Sequence, residues 1–553
     1  MNFLERYPRW CLTLAACLYL LPGTWLLPLV DRDEPRFARA TVEMMERSDY
    51  VVPYFNNEYR FDKPPLTYWW MQLHYRLLGV NELAARLHSA VAAWMVALLI
   101  YGFGRRLGLE TSWACLAGLI WLSALQVLIH GRIAVADMPL ILGTTLALRG
   151  FWDYLCAESP PKTFGRPFWM SYGGMALAFL AKGPLALLIP GLSLAGFALL
   201  GRKGAAPAWR QLLPGLLPGI LLLLALVGAW GIPALIQTQG AYFDIGIGEH
   251  VVERGVSAFN ERFYIPGVYY FVAVLVFFSP WVPALWPALR NAWRKRRESR
   301  QQGFLLAWAA SSFIIFAFYK TQLPHYILPS YPALALLAAS HLRSGTRSGF
   351  LLSYTLTRVA LAVLVLAALA LGIVLSGNAP VHALGGACLW LSALFLALLL
   401  ASECVQRLRL APAILFSIAS ALLFWPFAAN LRQAHLVTQL HAAHHDLLTE
   451  APAAYSEGFA EPSLVWYSGR YWDFSQAPSA AELKEGEVLL LSTRRWRLDD
   501  ELLADWRAGK ALRPRHDHRA KIQTDYGQLE IETVQGFSPG NSSWVELALI
   551  RKP

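Results

Sequence analysis

The chain has 553 residues, of which 56% are hydrophobic and only 15% charged, with a net charge of +11. Soluble domains are near half apolar and about a quarter charged, so this composition excludes an ordinary water-soluble protein and indicates a membrane protein. Nucleic acid is not an expected partner, because Lys and Arg cluster in short connections between apolar runs, as cytoplasmic loops do.

In chain order, apolar runs near 10–30, 86–104, 112–129, 138–155, 168–181, 184–200, 211–236, 266–289, 303–319, 327–341, 356–376, 383–402 and 411–428 predict about thirteen spans. The first, Trp10 to Val30, lacks a small-residue cleavage site and reads as a retained helix. With the N-terminus cytoplasmic, the inside loops carry Arg6 and Arg9, Arg105 and Arg106, Lys162 and Arg166, then Arg202, Lys203 and Arg210. The series continues through the dense run Arg290 to Arg300, then Arg343, Arg347, Arg358, Arg407 and Arg409, as the positive-inside rule asks. Spans and loops together make a transmembrane domain over 1–429, with outside loops over 31–85 and 238–265. The six cysteines lie in or beside apolar runs with no CxxC pair, which argues against a disulfide framework or thiolate metal site.

Residues 430–553 change composition and predict a small α/β domain outside the membrane. Ser463 to Tyr467, Glu487 to Ser492, Gln528 to Thr533 and Ser543 to Ile550 read as strands; Ala480–Leu483 and Asp499–Trp506 read as helical pieces. His441, His444, His445, His516 and His518 lack a ligand spacing and read as solvated surface.

The outside loops mix acids, bases, aromatics and prolines that topology alone does not need. After the first span comes Asp31-Arg-Asp-Glu-Pro-Arg36, leading into a helix with Phe37, Ala38, Val42 and Met45 on one side. Pro35 in the first turn and acids at the positive end of the dipole favour its start, and its polarity lays it flat on the membrane surface. Capping explains one acid; Asp31, Asp33 and Glu34 together at a membrane mouth suggest use. Lys63 follows Asp62 and precedes two prolines, a rigid setting for an interfacial phosphate ligand. Arg132 and Asp137 bracket one loop, Lys182-Gly-Pro stands between two apolar runs, Glu249, His250, Glu253 and Arg254 lie in another loop, and Lys320-Thr-Gln-Leu-Pro-His-Tyr326 joins two spans.

At these residues the chain resembles the C-type membrane glycosyltransferases, closest to the bacterial aminoarabinose transferases of lipid A and more broadly the protein O-mannosyltransferase superfamily. The resemblance rests on Asp33-Glu34-Pro-Arg36, Phe61-Asp62-Lys63-Pro-Pro65, Asp137, Lys182-Gly183, the Glu249–Arg254 stretch and Lys320-x-x-Leu-Pro-x-Tyr326. It implies a GT-C-like polytopic α-helical fold with periplasmic amphipathic helices, set in a bacterial inner membrane with its active face periplasmic. It further implies a sugar donor carried on polyprenyl phosphate, undecaprenyl phosphate in bacteria, and a monomer that takes a lipid or glycolipid acceptor among membrane lipids. Lys63, Arg254, Tyr326 and Arg36 would then hold the donor phosphate, with Asp33, Asp137 and Glu34 as the acids at the reacting centre. Asp62, Lys182, Glu249, His250, Lys320 and His325 are further candidates. Two positions depart from the aminoarabinose pattern: Asp62 where Glu is usual, and Phe37 where Tyr is usual.

The expected reaction is transfer of a single aminoarabinose-type or hexose sugar to lipid A or lipopolysaccharide, with a protein O-glycosyltransferase as the alternative. A lipid or sugar transporter fits less well, because transporters place ionisable residues at the bilayer midplane, often within internal repeats. An en bloc oligosaccharide transferase would need Trp-Trp-Asp, and Trp69-Trp70 is followed by Met71. No cofactor is required by these residues; a divalent metal held by Asp33 and Asp62 is a further expectation, since hard oxygen ligands suit one.

Overall fold

The structure, a computed structural model, describes residues 2–156, 162–200, 209–246, 248, 268–319, 321–345, 350–376, 382–497, 514 and 516–552. Among these, five helices are long and apolar enough to cross a membrane: Glu82–Arg106, Trp209–Gln237, Leu352–Ser376, His382–Gln406 and Leu410–Ala434. Shorter apolar helices, Thr111–Ser123, Leu185–Leu200 and Val268–Phe277, stand among them.

Several predicted spans are interrupted. The first run is helical only over Pro8–Leu20, and Gly23 (φ +80°) then packs so closely on Trp425 that an added Cβ would lie 3.0 Å from its Cα. The run 266–289 divides into Val268–Phe277 and Val282–Lys295 around Pro280, whose ring supplies no amide hydrogen to a continuing helix. The run 112–129 divides at Ala124, where the Leu125 amide donates to the Ser279 carbonyl at 3.0 Å.

Pro8–Leu20, Glu82–Arg106, Thr111–Ser123 and Tyr331–Arg343 pack into the main apolar core. Trp121, Trp281 and Trp308 are fully buried there, and each indole N–H finds an acceptor: the Ala93 carbonyl, the Ser123 hydroxyl and the Pro329 carbonyl. Such partners avoid the cost of burying an unsatisfied donor. The helix Leu213–Gln237 instead exposes Leu213, Leu217, Ile220, Leu221 and Leu224, a row suited to lipid.

Two glycines fix the approach that matters most for the site. A Cβ on Gly143 would fall 2.6 Å from the Ala178 nitrogen, and one on Gly174 would fall 2.6 Å from the Ala147 nitrogen. Helices Asp137–Leu155 and Gly174–Lys182 therefore touch backbone to backbone, the small-residue packing that membranes favour.

The C-terminal domain is a five-stranded sheet in the order Ala454–Glu457, Val488–Arg497, Ser543–Arg551, Glu530–Ser538, with His516–Asp517 also pairing on Val488–Arg497. The first pair is parallel and the others antiparallel; Leu490 opposite Leu549 sets the central register. Residues 463–467, predicted as a strand, form the helix Pro462–Ser468 instead, with Pro462 in its first turn. Five residues cannot separate period 2 from period 3.6, and burial of Leu464 and Val465 against the sheet decides the matter. Residues 480–482 are a turn and 483 is irregular, and 499–506 lie outside the described residues. The helix Pro462–Ser468 packs on Asp33–Arg47, and Asn56 exchanges hydrogen bonds with the Trp472 backbone, so the domain sits on the loop that carries the acids.

Candidate functional site

The surface helix runs Asp33–Arg47, with Asp33 and Glu34 in its first turn and Arg47 in its last, each sign matched to the helix dipole. Ser48, left-handed at φ 54°, ends it. Its buried side carries Phe37, Ala38, Ala40 and Met44.

The three acids have separate surroundings. Glu34 is 2% exposed; its two oxygens each meet Arg86 at 2.8 Å and also accept from the Val30 and Ala134 amides at 2.8 and 2.7 Å. Arg86 in turn donates to the carbonyls of Thr24, Leu27 and Pro28. Glu34 thus binds together the chain after the first helix, the helix Glu82–Arg106 and the 130–137 loop, with its oxygens occupied. Asp31 accepts from the Ser463 amide and hydroxyl at 2.8 and 2.6 Å, fastening the C-terminal domain. Burial and the neighbouring Glu461 push its carboxyl up to about 7. Asp33 is exposed, makes no hydrogen bond or ion pair to a described residue, and lines a cavity.

A second group forms around Asp62. Its carboxylate accepts from Arg60 at 2.9 Å and from Lys63 at 2.8 Å. Arg60, buried over the Phe37 ring, also donates to the Tyr68 hydroxyl at 3.0 Å, and Tyr242 donates to the Lys63 carbonyl at 2.6 Å. Arg36 is half-buried beside them; burial and Arg60 pull its guanidinium down while Asp33 and Asp62 oppose that.

The third group is the corner that the glycine contact builds. Lys182, closing its helix ahead of Gly183 (φ +81°), donates to Asp137 at 2.6 Å. His325 lies 4.0 Å from the same carboxylate, its ring 4.8 Å from that of His130, and the Lys182 ammonium is 5.7 Å from the Tyr326 ring centre. Burial would raise Asp137, but Lys182 with the two histidines holds it well below the usual carboxylate range. Burial pushes His325 down to about 3, so it is neutral at physiological pH and able to offer or accept one hydrogen bond.

Two cavities open onto these groups. One, of about 230 Å³, runs between Phe61, Phe179, Ile189, Val227, Trp230 and Tyr242. The other, of about 650 Å³, is bounded by Asp33, Arg132, Val276, Leu394, Phe395 and Phe424. Asp62, Lys63, Asp137, Lys182, His325 and Tyr326 line both, forming a charged seam between two largely apolar spaces. All six were singled out in the sequence. Glu249, His250, Arg254 and Lys320 lie outside the described residues. Arg60, Arg86 and His130 were not anticipated; a buried charge pairs through space, and spacing along the chain carries no sign of it.

Ligand atoms of His130, Asp137 and His325 lie within 4.8 Å of one another, as a metal site would require. The Lys182 ammonium already supplies the positive charge at Asp137, and Asp62 is likewise met by Arg60 and Lys63, so both carboxylates have the cations a divalent ion would replace.

Residues 9–236 match the family described as dolichyl-phosphate-mannose-protein mannosyltransferase. The undecaprenyl phosphate-alpha-4-amino-4-deoxy-L-arabinose arabinosyl transferase of Erwinia tasmaniensis is 32% identical over 386 residues, 68% of this chain and 67% of that one. The enzyme of the same name from Aeromonas salmonicida is 32% identical over 337 residues, 60% of this chain and 59% of its own length. Among solved structures, ArnT from Cupriavidus metallidurans bound to undecaprenyl phosphate superposes with a TM-score of 0.74 at 19% identity, covering 97% of this chain and 96% of that one, which shows a shared fold.

Proposed function

Since the chain belongs to the undecaprenyl phosphate-aminoarabinose arabinosyl transferase family, we propose that it moves one sugar from an undecaprenyl-phosphate carrier to lipid A or lipopolysaccharide at the periplasmic face of the inner membrane. The observation that carries this reading is the seam: six polar residues shared by two apolar cavities, the arrangement required to bring two lipid substrates head to head. The narrower cavity suits one polyprenyl chain, with its phosphate at Lys63, Lys182 and Tyr326.

The reaction breaks the bond between the anomeric carbon and the phosphate oxygen. The electron pair leaves with the phosphate, a good leaving group that needs cationic neighbours more than a strong acid. Lys63 and Lys182 are placed to supply that charge. The anomeric carbon becomes cation-like, and Asp33 is the carboxylate at hand to stabilise it. Where the acceptor is a phosphate, its oxygen attacks directly and no proton moves; where it is a hydroxyl, Asp33 takes the proton.

The orientation rests on the basic inside loops of the sequence, which leave the acidic and aromatic loops on the opposite face. The test is mass spectrometry of lipid A and envelope glycoproteins from cells with and without the gene, with the purified chain supplied with lipid A and the undecaprenyl-linked sugar. A sugar increment on lipid A that depends on the chain is expected. An increment found on protein alone would overturn the lipid acceptor in favour of O-glycosylation.

A further inference from the structure

Arg132 stands between the helices Leu125–His130 and Asp137–Leu155 and is 1% exposed. One terminal nitrogen donates to the Ala421 carbonyl at 3.0 Å, and the guanidinium lies over the Phe424 ring, 4.3 Å from its centre. Its Nε is buried without a hydrogen-bond partner, and no carboxylate of the described residues forms an ion pair with it. Burial pulls the group down to about 9, with no acid holding it up. Lys182 is met by Asp137 and Lys63 by Asp62; Arg132 has no such counter-charge among the described residues.

A buried guanidinium with no carboxylate beside it is costly to keep charged, and the fold holds this one at the wall of the larger cavity. The same lining carries Asp33 and the polar seam at one end and an apolar stretch of Leu125, Leu128, Val276, Phe277, Leu394 and Phe395. An anionic head attached to several hydrocarbon chains complements both features. The cavity is also the larger of the two that meet at the seam, which favours it over the other for a multi-chain lipid.

We propose that Arg132 binds a phosphate of the acceptor lipid and so fixes the acceptor head group on the wall that also carries Asp33; this rests on the reading of the chain as a lipid-to-lipid sugar transferase. A guanidinium can grip phosphate with two parallel N–H donors, and the Phe424 ring holds its plane for that purpose. Nothing in this role requires Arg132 to touch the donor.

The test uses the full chain in lipid nanodiscs with three probes: bis-phosphorylated lipid A, the same lipid A stripped of phosphate, and undecaprenyl phosphate. The wild type should bind the phosphorylated form at least about tenfold more tightly than the stripped form. Arg132→Gln should abolish that preference while leaving undecaprenyl phosphate affinity within about twofold, which also reports that the variant is folded. Arg132→Lys, which keeps the charge and loses the fork, should retain only part of it. An Arg132→Gln chain that still prefers phosphorylated lipid A overturns the proposal, as does a wild type without any preference. Loss of undecaprenyl phosphate affinity alone would assign Arg132 to the donor. A wild type that binds neither form of lipid A, yet transfers sugar to protein, would remove the acceptor reading itself.

Discussion

Asp33 and Glu34 are adjacent acids with opposite expected behaviour, and Glu34→Gln separates them. Glu34 is 2% exposed and Arg86 1%, joined by two hydrogen bonds of 2.8 Å. The amide side chain keeps the volume and removes the charge, leaving the Arg86 guanidinium buried without a counter-ion. Removing one partner of a buried pair costs about 3–5 kcal/mol. The new NH2 group also faces an amide donor, Val30 or Ala134, for about 1 kcal/mol more. Thermal unfolding followed by tryptophan fluorescence in detergent, at one fixed scan rate because such unfolding is irreversible, should show a midpoint lowered by roughly 3–5 °C. Asp33→Asn should unfold with the wild type to within about 1 °C, since an exposed carboxylate without partners contributes little, and should lose transfer to a hydroxyl acceptor while transfer to a phosphate is only weakened. A Glu34→Gln enzyme of wild-type stability that is inactive would refute the division and make Glu34 part of the chemistry.

The remaining predictions concern charge balance. Lys182→Met should destabilise the chain by leaving Asp137 buried and unbalanced, and adding Asp137→Asn should restore the unfolding midpoint without restoring transfer; a single variant as stable as the wild type would show that the 2.6 Å contact contributes nothing. Asp31 has its carboxyl raised from 3.8 to about 7, so the folded chain holds that proton more tightly than the unfolded one. Its contribution to stability is complete below the unfolded value and lost as pH rises through the folded one. Midpoints should therefore fall as pH rises from about 4 to about 7 and level off above that, and the fall should be shallower in Asp31→Asn; equal slopes would contradict the assignment. Because Lys63 and Arg60 already meet Asp62 and Lys182 meets Asp137, leaving Asp33 as a single carboxylate, dialysis against a chelator should leave the transfer rate unchanged, and recovery of a lost rate with added Mg²⁺ or Zn²⁺ would overturn that.

Much of the seam was legible because charge in an oily chain is conspicuous. Asp137, Lys182, His325 and Tyr326 each stand beside an apolar run and Lys63 in the charged loop after the first, so one face could be assembled from loops far apart in sequence. What the sequence could not carry was distance. Glu34 looked like its neighbour Asp33, and only the register of Glu82–Arg106 brings Arg86 to it. Arg132 was visible as a loop cation, but its lack of an acidic partner among the described residues exists only in three dimensions. Pro280 was visible too, yet hydropathy averages across a break, so two helices read as one span. In the C-terminal domain the long alternating segments became the strands Val488–Arg497, Glu530–Ser538 and Ser543–Arg551, whereas the shortest one became a helix under packing.

The seam itself has a kinetic consequence. Six side chains serve as a common wall, so an anion bound on one side draws on the same few cations that would greet an anion on the other. Occupancy of the two sides is therefore coupled, and linkage requires the coupling to be equal in both directions. On the proposed reading, two intact substrates would hold the sugar between their phosphates, and after transfer the spent carrier would leave its bare phosphate against the seam. Product left in place should compete with incoming acceptor as well as with fresh donor, so that clearance of the carrier sets the pace of turnover.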